Sequence, residues 1–377
     1  MITMPSGHKL RNRDMTAAWR HVDVTLLALV AATTIFGSIM VFSATRHADS
    51  PYTFITKHVV YVLVGVAVMG VAAALDYQKL RDWSRLIYIG SVAALGAVLI
   101  PGVGSVHKNI RAWFDVGPFQ IQPAEFAKIA TIVTVASYLG SVIDRVGFRE
   151  MFISLVLLGL PMGLILLQPD LGTTLVFVVV GVGLLVVGGV PARYLIVLVL
   201  LGVGGVVGIL KSNTLDQYQK DRLTSFVTPE NASEKAIYNT RQAQLAIASG
   251  SLTGKGLFEG PQTKGGFVPE QQTDFIFTVP GEELGFLGSG LLVVLLGGIV
   301  YRIWRTAQLA RDPVGRLMCV GVLCMIVFHV FENVGMNLGI MPVTGIPLPF
   351  VSYGGSSTIT TFAAMGLVMN VHMRRFA

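Results

Sequence analysis

Charge is scarce in this chain. Only 13% of its 377 residues are Asp, Glu, Lys or Arg, 53% are hydrophobic, and the mean hydropathy is +0.67. That excludes an ordinary soluble enzyme, because uncharged apolar stretches of about 18 or more residues can cross a hydrocarbon core of ~30 Å. Cysteine is nearly absent. Cys319 and Cys324 lie five apart in one apolar run, about 140° apart on a helix, which excludes a disulfide between them and leaves two small core residues. Also missing are a GxxxxGK[ST] loop, a GxGxxG after a strand, a Ser nucleophile elbow and any His, Cys or carboxylate cluster with recognisable ligand spacing. ATP-driven, dinucleotide and metal-centre chemistry therefore find no support in the motifs.

What the chain does have is a series of apolar runs with short connections, which predicts an all-α polytopic integral membrane protein forming a single domain, 1–377. The spans fall near 24–45, 56–75, 85–101, 122–143, 151–168, 171–189, 193–210, 275–301, 317–340 and 352–372. Basic residues Lys9, Arg11, Arg13 and Arg20 precede the first run, but its uncharged core from Val24 to Thr45 is too long for a signal peptide and reads as a retained helix. With ten helices and both termini cytoplasmic, Lys and Arg concentrate on the inner segments, sixteen against four in the short outer loops. The net charge of +7 then reflects topology and suits anionic membrane lipids, with no nucleic acid needed as a partner.

The same parity places one large extracytoplasmic loop, 211–274, between spans seven and eight. Within it, "NASEKAIYNTRQAQLAIASG" predicts a helix, with Asn231 and Glu234 as a capping box and Gly250 as a left-handed stop. This helix lies on the membrane surface or packs as an ordinary loop helix. The glycine-dense "GSLTGKGLFEGPQTKGG" after it predicts close backbone approach and mobility, as in a lid over an outer cavity.

Ionisable groups within spans are costly and therefore candidates for function. Glu125 and Lys128 in "QIQPAEFAKIA" are three apart, share a helix face and can pair, at the mouth of an outward-facing cavity or as a neutral pair that lets the helix insert. Asp170, in "LLQPDLGTT", either caps span six or contacts substrate. His329 and Glu332, three apart in span nine, can form a buried hydrogen-bonded pair. The Pro- and Gly-dense "NLGIMPVTGIPLPFVSYGGSSTITT" joins the last two spans; irregular backbone at membrane depth survives inside protein or beside a wet cavity, so this segment is expected to line a site.

Four acids crowd "VPEQQTDFIFTVPGEELGFLG": Glu270, Asp274, Glu282 and Glu283. Topology puts Glu270 in the outer loop, Asp274 at the water–lipid boundary, and Glu282 and Glu283 in the body of span eight as structural or gating groups. Asp274 can also serve as the N-cap of that span.

Taken together, "QPAEFAK", "QPDLGTT", "IASGSLTGKGLFEG", "FVPEQQTDFIF", "GEELGFLG" and "MPVTGIPLPFVSYGGSS" resemble, in order, the SEDS family of polytopic peptidoglycan glycosyltransferases. "TGIPLPFVSYGG" and "FVPEQQTDFIF" look more like its RodA-type, elongation branch than its FtsW-type, division branch. Three departures stand out: Ala124 for a usual Ser, Ser251 where a second Gly usually follows, and Arg111 in "NIRAW" in place of a more basic "RRW".

The resemblance implies polymerisation of lipid II into a β-1,4 glycan on the outer membrane face, by inverting displacement of an undecaprenyl diphosphate. It makes Asp274 the catalytic base, with Lys128 and Arg111 as candidate diphosphate contacts and Glu125, Asp170 and Gln122 as further substrate-binding candidates. No organic cofactor is expected; a divalent cation, Mg or Mn, is associated with the family without assigned ligands. The partner it implies is a class B penicillin-binding protein, a transpeptidase. The rival from another class is a flippase of the same lipid-linked precursor, which would need the cavity and the cation but no base at the outer boundary. A pure scaffold would leave the intramembrane polar residues without a purpose.

Overall fold

The computed structural model describes residues 21–47, 50–107, 110–117, 119–211 and 234–376. Each of the ten expected stretches contains a helix. They are α1 (Val24–Thr45) and α2 (Pro51–Ala74), a short α3 (Tyr77–Asp82), α4 (Ser84–Leu99), α5 (Pro123–Val142), α6 (Phe148–Leu166), α7 (Leu171–Val187) and α8 (Ala192–Lys211). After the loop come α9 (Glu234–Gly250), α10 (Pro261–Lys264), α11 (Thr278–Glu283), α12 (Gly285–Leu309), α13 (Pro313–Leu338) and α14 (Gly355–Met373). Among the described residues, six of these helices are long and apolar enough to cross a membrane, and α4, α7 and part of α8 are shorter apolar helices. The chain is a multi-pass helical membrane protein.

Local chemistry sets the helix ends. Asp23 accepts from Leu26 N at 3.0 Å to start α1, and Asp312 accepts from Gly315 N at 2.7 Å, with Pro313 following, to start α13. Gly339, in the left-handed conformation with φ 75°, ends α13.

At the end of the bundle opposite the site, Asp23 also receives Arg302 through Nε (2.9 Å) and Nη2 (2.6 Å), locking α1 to α12. Helix α13 sits at the centre, packed on α5, α7, α9, α12 and α14. Its buried face carries His329, Glu332, Asn333 and Asn337 among apolar side chains.

The structure departs from expectation in three places. The link between α4 and α5 is not a plain loop but a three-stranded antiparallel sheet, β1 (Ser105–His107), β2 (Ile110–Val116) and β3 (Phe119–Ile121). Its register pairs Ser105 with Trp113 and Val116 with Phe119, and the turn includes Gly117 at φ 60°. Span eight is not one helix from 275. Gly285, at φ 66°, breaks the chain between α11 and α12, so the membrane-crossing piece starts ten residues later than expected and α11 is a separate platform. The third concerns the end of α9. The expected cap at Asn231 lies outside the described residues, and the left-handed stop is made by Ser251, φ 52°, rather than by Gly250.

Gly250 is required for another reason: a Cβ there would sit 2.0 Å from the Gly281 carbonyl oxygen. Helix α9 thus meets α11 backbone to backbone. A serine held in the left-handed region costs about 1–3 kcal/mol against glycine. Ser251→Gly is therefore expected to raise the thermal unfolding midpoint in detergent, and Gly250→Ala to lower it, read side by side by differential scanning fluorimetry.

Candidate functional site

The expected site residues fall into three groups, tied together by α13 and the irregular segment 340–354. The first group gathers the N-termini of α5, α7 and α14. Asp170 caps α7, accepting from Thr173 N (2.9 Å) and Thr173 Oγ1 (2.8 Å), and it also receives Gln122 Nε2 at 3.3 Å. Gln122 N donates to Ser356 Oγ at 2.9 Å. Of the two roles open to Asp170, capping is the one the geometry displays, and it leaves Gln122 and Asp170 joined.

The second group is the buried ion pair. Lys128 Nζ lies 2.8 Å from Glu125 Oε1, one helical turn apart as the spacing predicts, and the two residues are 3% and 4% exposed. Lys128 also contacts His329 Nε2 at 3.2 Å, and His329 Nδ1 lies 3.3 Å from the Pro347 carbonyl oxygen. An ammonium can only donate, so Nε2 accepts and the ring proton sits on Nδ1, donating to Pro347; the imidazole is neutral. A narrow crevice bounded by Lys128, Thr131, Val176, Phe177 and Val180 lies beside the pair.

His329 and Glu332 do not pair. The histidine is taken by Lys128 and Pro347, while Glu332 Oε1 accepts from Thr344 Oγ1 at 2.9 Å. One end of α13 thus holds the irregular segment at two points.

The third group surrounds Asp274, which lies in the turn-rich stretch before α11 and is partly exposed. Its N–H donates to Glu270 O, and its own carbonyl accepts from Asn333 Nδ2 (2.8 Å) and Asn337 Nδ2 (3.3 Å). Its carboxylate faces Gly345, where a Cβ would stand 3.4 Å from Oδ2; with φ 77°, that position also favours glycine on backbone grounds. Residues 272–274 are stitched to the segment after Gly345 by Ser352 Oγ donating to Thr273 O (2.6 Å) and Tyr353 N donating to Gln272 O (2.9 Å). Asp274 does not cap α11, whose N-cap position is Phe277.

Arg111 stands apart from these groups. It lies on β2, and its Nη1 reaches the Leu99 carbonyl at 3.4 Å, at the end of α4.

Glu282 and Glu283 are buried, but as the platform for the glycine-dense loop rather than within a span. Glu282 accepts from Gln262 N (2.6 Å), Thr263 N (2.9 Å) and Thr263 Oγ1 (2.8 Å), and Glu283 accepts from Ser43 Oγ (2.5 Å) and Phe258 N (3.0 Å). Lys255 N and Gly256 N donate to the carbonyls of the same two residues. The expected mobile lid is a pinned cap, because the glycines allow the close approach and the two carboxylates then satisfy the loop's amides.

Residue-by-residue reading of the sequence passed over Asn333 and Asn337. Their signal was available: with His329 they recur every four residues, a polar stripe on one face of an otherwise apolar span.

A family model described as "Cell cycle protein", covering FtsW, RodA and SpoVE, matches residues 23–376. The peptidoglycan glycosyltransferase MrdB of Escherichia coli K12 is 34% identical over 356 residues, 94% of each chain. The stage V sporulation protein E of Bacillus subtilis 168 is 35% identical over 364 residues, 95% of this chain and 98% of its own. A chain from the solved structure of a peptidoglycan synthase complex that coordinates polymerization and crosslinking superposes with TM-score 0.81 at 31% identity, covering 94% of this chain and 98% of that one.

Breaking a buried ion pair by removing one partner costs about 3–5 kcal/mol, whereas replacing both with neutral groups of similar volume is close to neutral. Lys128→Met should therefore lower the unfolding midpoint sharply, and Glu125→Gln with Lys128→Met should restore most of it. Glu282→Ala should free the cap, seen as new tryptic cleavage at Lys255 and Lys264 while the helical bundle stays intact.

Proposed function

The chain belongs to the FtsW, RodA and SpoVE family of cell cycle proteins, and from that premise we propose that it is the peptidoglycan glycosyltransferase that polymerises lipid II into β-1,4 glycan strands during cell elongation. The observation that carries this reading is the placement of Asp274: a partly exposed carboxylate at the site end of a membrane bundle, on a turn bonded to α13 and facing Gly345.

Polymerisation asks for one base. The acceptor hydroxyl must lose its proton as its oxygen attacks the anomeric carbon of the donor sugar. An α-linked donor giving a β product means a single inverting displacement, with the C–O bond to the undecaprenyl diphosphate breaking and the electron pair leaving on the diphosphate. Asp274 takes the proton. The diphosphate leaves unprotonated when a cation stabilises it, and Lys128 is the candidate; in the sealed arrangement its ammonium is shared with Glu125, so substrate must draw it from that carboxylate. Gln122 and Asp170 hold the adjoining helix ends together, and Arg111 reaches substrate only from the sheet at the rim.

Among the described residues no three His, Cys, Asp or Glu side chains gather and Glu125 is taken by Lys128, so a divalent cation such as Mg or Mn would be held by one or two carboxylates together with the substrate diphosphate.

The finer assignment to the elongation branch rests on the forms "FVPEQQTDFIF" and "TGIPLPFVSYGG", since overall identity to the MrdB and sporulation relatives is nearly equal, 34% and 35%. A class B penicillin-binding protein is the proposed partner, supported by the likeness to a chain of a polymerizing and crosslinking complex. The bias of Lys and Arg towards one side supports placement in the bacterial cytoplasmic membrane with the Asp274 end outward.

Purified chain reconstituted with its partner and lipid II should produce glycan ladders on a gel, and Asp274→Asn should lower the rate by about 10²-fold or more. Precursor crossing vesicles without any polymer would favour the flippase. A fully active Asp274→Asn would remove only the assignment of the base.

A further inference from the structure

Helix α13 presents His329, Asn333 and Asn337 at intervals of four residues, one face and about 6 Å of rise per step. Each rung of this stripe is bonded. His329 meets Lys128 Nζ (3.2 Å) and Pro347 O (3.3 Å). Asn333 Nδ2 meets Asp274 O and Ile346 O, both at 2.8 Å. Asn337 Nδ2 meets Asn333 O (2.7 Å) and, more weakly, Asp274 O (3.3 Å).

The middle rung is the most demanding. A primary amide has two N–H bonds, and Asn333 spends them on two carbonyls from two different irregular segments. Both neighbours are acceptors, so the amide can face them only with its nitrogen. The residue is 0% exposed, so its side chain makes both bonds out of contact with bulk solvent.

One of those carbonyls belongs to Asp274, and the other to the residue following Gly345, the glycine that faces its carboxylate. The same rigid helix holds Lys128 through His329, one turn away.

We propose that Asn333 is the positioning residue that sets Asp274 at its working distance from Lys128, with α13 as the ruler between proton acceptor and leaving-group cation. This rests on Asp274 being the base. Asn333 touches no reacting atom; it holds the peptide carbonyl of the residue that does. Without its amide, the two segments lose their shared anchor, and the carboxylate shifts relative to the cation while the surfaces that grip the lipid stay in place. A displacement of about 1 Å at a reacting group costs on the order of 10²-fold in rate. The loss should therefore fall on turnover and not on substrate affinity.

The test is the steady-state polymerisation of lipid II by the full-length protein reconstituted with its partner. Asn333→Ala is expected to lower kcat by about 30- to 100-fold with KM within about twofold of wild type, the signature of an interaction used in the transition state. Asn337→Ala, which loses the longer bond to the same carbonyl together with its contacts to Asn333 O (2.7 Å) and Asn333 Oδ1 (3.4 Å) but leaves both Asn333 amide bonds in place, is expected to lower kcat by about threefold. Wild-type kcat in Asn333→Ala, or a loss confined to KM, overturns the proposal. Should Asn333→Ala fail to fold, Asn337→Ala decides the matter: a kcat loss at constant KM supports the ruler, and an unchanged kcat overturns it. Wild-type turnover in Asp274→Asn would instead overturn the assignment of the base, a separate result read in a separate variant.

Discussion

Irregular backbone within a membrane protein must find its hydrogen bonds inside the protein, and the architecture around Asp274 is organised by that constraint. Segments 268–277 and 340–354 are both non-helical over most of their length. Their carbonyls and amides are met by side chains of α13 and by each other: Asn333 takes two carbonyls, Ser352 bridges Leu348 N and Thr273 O, and Tyr353 N closes on Gln272 O. Helix α13 can do this because it is surrounded on nearly every side by other helices. A polar stripe on a lipid-facing helix would be costly; on the central helix it becomes a row of attachment points.

The buried charges follow the same rule with different partners. Lys128 is neutralised by Glu125 in the bundle, and its remaining contact is a neutral histidine. Among the described residues Glu282 meets no counter-ion but three donors, two of them backbone amides at the start of α10, where carboxylates are favoured. Asp170 is held in the same manner at the start of α7. Asp274 differs from Glu125 and Glu282 in its partial exposure, which is what a group exchanging protons with an incoming hydroxyl requires; Asp170 is partly exposed too, but its two oxygens are taken by Thr173 and Gln122.

Much of this was legible in the sequence, and the gaps have physical causes. The apolar runs announced their helices, and α1 falls on the expected Val24–Thr45 because Asp23 caps it. The Glu125–Lys128 pair followed from its spacing of three. The sheet between α4 and α5 was missed because its strands are short and partly exposed and lack a long alternating pattern. The His329–Glu332 pair failed because spacing shows only which residues share a face, not which tertiary neighbour arrives first. Lys128 and Thr344 come from elsewhere in the chain and claim one each. The pinned cap was hidden for a similar reason: glycine density signals permissive backbone, and whether that becomes motion or close packing depends on distant acceptors.

The bond between Ser43 and Glu283 joins residues 240 apart. Phe258, one of the cap's own residues, lies edge-on to Phe42 with the Arg46 guanidinium 5.3 Å from its ring centre, so the cap rests on the end of the first helix. A chain threaded into the bilayer from its N-terminus therefore carries this docking surface vacant through the synthesis of six more apolar helices, α2 and α4 to α8. The mouth can be roofed only when α11 emerges, late in translation. Order of synthesis is thus written into the fold: the end of the first helix waits for its roof until α8 and α9 have been made.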